Sequence, residues 1–417
     1  MSKFRIPFFL LVLIFIPFFT FLAIQWAKGY SFNLANKKFE SRGILVANST
    51  PDGAQVYING IFETGTNNSL PLLPGSYSVE IKKDGFSSWK KELKIEKELV
   101  TQTNTYLFPA VPDLRPITYT GALNPVLSPD GSKIAYSSPA TESARSGVWV
   151  ADLVEFLGFG RGTKQIIRTT NKGRNFNSAQ FYWSPDSRQL IVSMEKENFL
   201  VDPNQLTLEI NLIDITPNLK SIKAGWDEDE KRITEAKLRR LPKTLPEILF
   251  ASADNLTFSP DGEKFFYEAT ASAKIPAKLI PPLPASSTQK EEREIKPGKI
   301  YLYDLKEDRN FLIGDKSILD IAPKAKPAKG KITPTPTFSQ SRLPLLSWFP
   351  TSRHLLWLEK EKISLIEYDG ANKTIVFNGS FENSYVFPAP GANKIILLTS
   401  FGQEANLPAN LYSINLR

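Results

Sequence analysis

The chain has no cysteine, one histidine (His354) and two methionines among its 417 residues. Without cysteine there is no disulfide, no thiolate nucleophile and no cysteine-ligated zinc, and the redox character of the compartment stays open. One histidine is too few for a multi-histidine metal centre, and it is the sole imidazole on which a serine triad could draw. Focused charge is missing as well. The excess of 51 Lys and Arg over 43 Asp and Glu gives +8, yet residues 43–108 hold six Lys against seven acids. Nucleic-acid binding calls for a concentrated basic face, so no such partner is expected. No cofactor is expected either. Residues 158–162, Gly-Phe-Gly-Arg-Gly, look like a phosphate loop, but no Lys-Ser/Thr follows them. They read as a loop between the third and fourth strands of a sheet.

Long apolar runs are lacking, with one exception. Residues 6–24, opening with Ile6 and closing with Ile24, contain nothing polar except Thr20. As a helix they would rise about 28 Å, close to the ~30 Å hydrocarbon core of a bilayer. Lys3 and Arg5 precede the run, and Trp26 and Lys28 follow where interface anchors sit. Pro7 falls in the opening turn, and Pro17 is tolerable in a membrane helix. A cleaved signal peptide would have a shorter apolar region ending in a small-x-small site. Here Gln25 occupies the −3 position relative to Ala27. The expectation is an uncleaved transmembrane anchor over residues 1–28, a juxtamembrane linker over 29–42, and the rest of the chain outside the cytoplasm. Lys28, Lys37, Lys38 and Arg42 weigh against that orientation, and the shortness of the amino-terminal tail weighs for it.

Residues 43–110 have the period-2 alternation of half-buried strands, at Ile44/Val46, Val56/Ile58, Tyr77/Val79/Ile81 and Leu93/Ile95. Turn signals separate these strands, above all Asn59-Gly60. The string Ser49-Thr50-Pro51-Asp52-Gly53-Ala54-Gln55-Val56-Tyr57-Ile58-Asn59-Gly60 resembles the PEGA domain, with Pro51-Asp52-Gly53-Ala54 in place of its signature tetrapeptide. Leu73-Pro74-Gly75 and Lys83-Asp84-Gly85-Phe86 followed by Trp89 agree. The family's middle Thr-Pro is absent, because Thr66 is followed by Asn67. The resemblance implies a small β-sandwich of the kind attached to surface proteins, without known catalysis. Trp89 is then a core residue rather than a sugar platform.

Beyond residue 113 one turn recurs. Ser128-Pro129-Asp130-Gly131, Ser184-Pro185-Asp186-Ser187 and Ser259-Pro260-Asp261-Gly262 share it, and worn copies lie at 349–352 and 388–391. Pro presets φ at the second position, Asp bonds back to the local backbone, and Gly accepts the left-handed conformation. Leu127, Trp183, Phe258 and Trp348 stand just before the turns, and an apolar run follows each. Second strands are expected over 147–153, 208–215, 299–305, 363–369 and 410–416. Two hairpins per unit make a blade, and residues 113–417 read as a β-propeller of about five to six blades. The strings resemble the repeats of TolB-like and WD-repeat-like propellers, which implies the fold and leaves activity open. The fold class is all-β behind an amino-terminal helix.

Three insertions interrupt the repeats. The one near 227–250 holds a short helix from Asp227 to Arg240, with acids in its first turn and i,i+4 ion pairs. That over 271–297 carries five prolines and forms an irregular excursion or a loose loop. That over 316–340 is rich in Lys and Pro and reads as disordered. Catalysis is not expected: His354 aligns with Lys133 and Lys264, a solvated position at a strand entrance. The densest basic cluster is Arg161, Lys164, Arg168, Lys172 and Arg174, a candidate contact for an anionic surface. The chain thus reads as a membrane-anchored cell-envelope binding or scaffolding protein with an envelope protein or polysaccharide as partner. A polysaccharide-active enzyme using channel carboxylates, and an accessory subunit of a transport complex, are the alternatives.

Overall fold

A computed structural model describes residues 5–27, 30–33, 38–139, 145–156, 159–160, 162–170, 173–281, 283, 288–315, 345–382, 385–400 and 408–417. The chain divides into two compact units. One is Met1–Leu107 with Pro282–Gln289, and the other is Phe108–Pro281 with Lys290–Arg417.

The first unit opens with the helix Arg5–Ala27. Its side chains are described at 11–21, 23 and 24, and among the described residues no helix is long and apolar enough to cross a membrane. The segment expected as a linker contains an antiparallel ladder, Tyr30–Asn33 with Lys38–Ser41. The PEGA-like region is a two-sheet sandwich. Ile61–Gly65, Gln55–Ile58, Gly75–Lys82 and Trp89–Ile95 form one antiparallel sheet in that order. Val100–Gln102, Gly43–Ala47 and Asn68–Leu72 form the other, its first pair parallel. Residues alternate between buried and half-exposed along Gly43–Ala47, so Leu45 and Ala47 meet Val56, Ile58, Val79 and Ile81 in one core. Trp89 belongs to that core, as the alternation required. Asn59 and Gly60 take φ of 51° and 85° and join their strands as a two-residue turn demands. Where the family's Thr-Pro is missing, Thr66 Oγ1 accepts from the Ala54 amide at 2.9 Å and lies 2.7 Å from Ser49 Oγ.

Among the described residues of the second unit five larger sheets succeed one another, and in each a repeat turn joins two neighbouring antiparallel strands. The first blade runs Leu123–Leu127, Lys133–Ser138, Gly147–Asp152 and Thr163–Arg168. The third is Ala253–Phe258, Lys264–Ala269, Lys299–Asp304 and Arg309–Asp315, and the fourth Leu346–Trp348, His354–Glu359, Lys362–Glu367 and Thr374–Asn378. The fifth is built from Val386–Pro388, Lys394–Thr399 and Asn410–Asn415, completed by Asp113–Pro116 from the other end of the unit. That last pairing joins residues about 300 positions apart, and the Asn410 side chain reinforces it by accepting from Thr118 Oγ1 at 2.9 Å and Gly121 N at 2.8 Å.

The second blade departs from expectation. Gln180–Trp183, Leu190–Ser193 and Asn198–Val201 make only three strands, and the expected strand over 208–215 does not form. Thr207–Leu208 instead pairs in parallel with the outer strand of the first blade, and short 3-10 turns follow at Glu209–Asn211 and Thr216–Asn218.

The turns explain the repeat chemically. Ser128, Ser184 and Ser259 each donate Oγ to the turn aspartate at 2.6 Å and accept the amide five residues on at 2.9–3.0 Å. The fifth turn forms at 389–392, one residue later than expected, because Ala392 N bonds to Ala389 O as Gly131 N does to Ser128 O. All five turns then hold a left-handed residue, Gly131, Ser187, Gly262, Ser352 and Ala392, with φ between 53° and 72°. The two serines there have a further task. Ser187 Oγ accepts from Asp130 N of the preceding blade, and Ser352 Oγ from Asp261 N, each at 3.1 Å. The tryptophans of the same two blades reach back alike, Trp183 Nε1 to Val126 O at 3.1 Å and Trp348 Nε1 to Thr257 O at 2.9 Å. The second blade is thus locked to the first, and the fourth to the third, by the same pair of bonds.

A helical insertion replaces the direct contact between the second and third blades. Ile134 and Tyr136 face the fifth blade, Leu190 and Val192 the first, and Leu355 the third. The corresponding residues of the third blade, Phe265 and Tyr267, pack against Leu241, Leu245 and Leu249. Leu245 and Leu249 lie on the helix Thr244–Ser252, which follows a longer helix, Leu219–Leu238. The longer helix touches the second blade too, with Lys223 Nζ 3.9 Å from the Tyr182 ring centroid. It begins eight residues before Asp227, so the acids expected in its first turn fall mid-helix. Glu235 and Arg239 pair as expected, at 3.8 Å.

The described ends of the insertion over 271–297 are held in place, and residues 282 and 284–287 lie outside the described residues. Ala273–Lys274 pairs with Glu294–Ile295, Ile275 and Ile295 are buried, and Arg293 bridges Pro276 O at 2.7 Å and the Asp308 carboxylate at 3.4 Å. The segment 316–340 lies outside the described residues.

Candidate interaction surface

His354 is not the solvated residue that the repeat alignment implied. It is 3% exposed, its Nδ1 lies 3.0 Å from Thr351 Oγ1, and its ring meets Phe108 edge-on at 5.2 Å. The cause is register. Lys264 at the same strand entrance is also buried, with Asp304 opposite at 3.5 Å, and His354 stands opposite Glu367. In the third and fourth blades this position holds a buried cation or imidazole facing an acid on the neighbouring strand. Among the described residues no group of three or more His, Cys, Asp or Glu could hold a metal ion.

Titration shifts in this unit trace to structure. The Ser184 hydroxyl bond holds Asp186 below its ordinary 3.8. Desolvation pushes Asp130 up, but bonds from Ser128 and Ser132 outweigh it and leave the group lowered. Burial drives the phenols of Tyr267 and Tyr368 well above 10, so both stay neutral.

The five residues of the basic cluster have different fates. Arg161 and Lys172 lie outside the described residues. Lys164 and Arg168 sit on the outer strand of the first blade, Arg168 exposed with Nε 2.9 Å from Gln165 Oε1, and Lys164 half-buried with Nζ 3.2 Å from Asn204 Oδ1. Arg174 is committed internally. It grips Glu197 with two bonds of 2.8 and 2.9 Å, stacks over Phe199 at 5.3 Å, and lies 3.7 Å from the carboxylate of Glu209. Glu209 is fully buried and also accepts the Thr170 amide at 2.6 Å. The Arg174 bond holds Glu197 below the ordinary carboxylate range.

What lies beside Lys164 and Arg168 was not foreseen. Arg168 is in register with Leu208. Leu206, Leu208, Ile210 and Ile213 are 49%, 36%, 53% and 78% exposed. Four large aliphatic side chains within eight residues leave an apolar strip in water next to two cations. The apolar/polar alternation over 208–215 is the sequence signal for this strip, and it reads as a strand.

Comparison with known proteins bears on the first unit. Residues 42–110 match the PEGA domain. That match covers the sandwich described above and no more of the chain. No curated protein matches the chain. Among solved structures it is similar to the TolB of Acinetobacter baumannii, at 12% identity over 81% of this chain and 59% of that one, with a TM-score of 0.18. The β-propeller domain of the trilobed protease from Pyrococcus furiosus is 13% identical over 90% and 96%, with a TM-score of 0.20. The β-propeller domain of Cps50 (Swd1) from Myceliophteria thermophila is 12% identical over 73% and 100%, with a TM-score of 0.29. Scores this low carry no argument, so the propeller-like architecture rests on the strand order and inter-blade packing.

Proposed function

We propose that the chain is a membrane-anchored envelope protein whose propeller is a binding platform and not a catalyst, with the PEGA domain as a small accessory sandwich. The observation that supports the anchor best is the helix Arg5–Ala27, where Leu11, Leu13, Ile14, Phe15, Ile16, Phe18, Phe19, Phe21 and Ile24 are each about half or more exposed. So much exposed apolar surface on the described part of the helix favours an apolar surround. A PEGA domain next to it favours placing the later residues outside the cytoplasm. The platform reading is supported by blades whose ionisable groups are tied into turns and inter-blade contacts, and by an exposed strip with both apolar and cationic character.

The test is co-purification from detergent-solubilised membranes together with protease added to intact cells or spheroplasts. A partner retained through washing, and digestion of the carboxyl-terminal unit from outside, are the expected results. Full protection beside a digested external marker would overturn the orientation. Turnover of an envelope polysaccharide by the purified chain would overturn the non-catalytic role.

A further inference from the structure

We infer that His354 and Glu367 form a proton-operated joint in the fourth blade, closed while the imidazole carries a proton and loosened as that proton leaves. The two residues stand directly opposite each other on paired strands, and both are buried, at 3% and 7% exposure. Residues in such register place their Cβ atoms about 5 Å apart. The third blade shows what the position is built to hold. In all five turns the first residue's amide bonds the carbonyl five residues on, which makes Lys133, Gln189, Lys264, His354 and Lys394 equivalent. Lys264 faces Asp304 in the same register at 3.5 Å, and both are buried. The site thus accommodates a cation against an acid away from water. Lysine keeps its charge through the physiological range, whereas an imidazole can lose it. Of the five equivalent positions, the fourth blade's is the one that holds a group of this kind.

The surroundings allow both states of the ring. His354 Nδ1 lies 3.0 Å from Thr351 Oγ1, which also accepts from Arg353 N at 3.3 Å. That hydroxyl accepts from a protonated Nδ1 and donates to a bare one, so the bond survives either way. The difference falls on the side of Glu367, whose buried charge an imidazolium offsets and a neutral ring does not. The other ionisable groups at this end of the blade are Arg353, next to His354, and Asp369, two residues past Glu367, with Oδ1 accepting Ala371 N at 3.2 Å. The segment packed on the ring brings no charge. Phe108 meets His354 at 5.2 Å and Phe349 at 6.4 Å, and residues 109–112 are Pro, Ala, Val and Pro. The proton therefore acts where the second unit begins. Burial favours the neutral ring, but the third blade seats its lysine and acid at similar depth. With the acid opposite prevailing, the folded ring holds its proton above the ordinary value of about 6.5. The joint's contribution is then complete below that ordinary value and is lost as pH rises through the folded one.

Composition makes the test direct. With one histidine and no cysteine, His354 is the sole side chain whose ordinary titration falls between about pH 5 and 8. Full-length protein in detergent, labelled with 13C at histidine, gives one imidazole signal to follow by NMR, folded and in concentrated urea. The expected result is a folded midpoint above the unfolded one, with the difference removed in Glu367→Gln. Hydrogen exchange reads the joint itself, through the amides of Phe349 and Tyr368, which bond His354 O at 3.0 Å and Arg353 O at 2.9 Å. Corrected for the intrinsic rise with pH, their protection should fall about tenfold for each unit separating the two midpoints. In His354→Lys, which keeps its charge, it should stay level. A folded midpoint at or below the unfolded one overturns the inference, because the ring would then be a neutral core residue. So does protection that falls equally in His354→Lys, since the pH dependence would belong to another group. The wild-type titration needs no variant and decides the matter even where a substitution prevents folding.

Discussion

At the level of single residues, the repeat turns act as small clasps, because one hydroxyl ties the turn aspartate to a backbone amide of the following strand. Ser259 is 1% exposed and accepts from Lys264 N at 3.0 Å, so Ser259→Ala leaves a buried amide without its acceptor. A loss of about 1–3 kcal/mol is expected in urea unfolding. Arg174 separates a structural from a binding role. Removing it as Arg174→Ala leaves fully buried Glu209 with its charge uncompensated, and a loss of roughly 3 kcal/mol or more is expected. Unchanged stability would return Arg174 to the basic surface. Asp186 gives a pH prediction whose sign follows from its lowered value. Its folded value lies below the unfolded one, so its contribution is complete above about pH 4 and is lost as pH falls through the folded value. In Ser184→Ala, NMR titration should find Asp186 moved up toward 3.8.

Among elements, the locks between blades one and two and between three and four depend on a serine held at positive φ. Ser187 has φ 61° and accepts from Asp130 N. Ser187→Gly loses that bond but relieves the backbone, whereas Ser187→Ala loses the bond and keeps the strain. The alanine variant should therefore be the less stable by about 0.5–1 kcal/mol in thermal or urea unfolding. Equal stabilities would mean that the left-handed turn costs nothing here. The helix Thr244–Ser252 provides the other element test. Leu245 is fully buried against the third blade, so Leu245→Ala should cost about 2–5 kcal/mol if the helices substitute for a blade contact.

The elements also show where sequence pattern was sufficient. Alternation and turn chemistry revealed the sandwich, because half-buried strands repeat every two residues, and Ser-Pro-Asp turns marked the start of each blade. Three features stayed hidden. Residues 208–215 alternate like a strand, yet the buried member is Glu209, and periodicity cannot tell which face is wet. The helix Thr244–Ser252 has too few turns to register against its Pro-containing surroundings. The burial of His354 depends on Phe108, a neighbour more than 200 positions away that no local pattern reveals. The aliphatic strip beside Lys164 and Arg168 needed the register of Arg168 with Leu208.

For the molecule as a whole, the second unit is a chain of five sheets whose last is completed by its first strand. That pairing ties together two ends of the unit that would otherwise fray. The larger question is where the molecule resides. The described side chains of the helix Arg5–Ala27 are apolar and exposed, and the proposed anchor would place them in a bilayer. Alkaline carbonate extraction of membranes from cells producing the full chain, with a variant lacking residues 6–24 run beside it, tests this directly. Full-length protein of uncleaved mass should stay in the membrane pellet while the variant is released. Recovery of the full chain in the carbonate supernatant, or of a product beginning after Ala27, would contradict it.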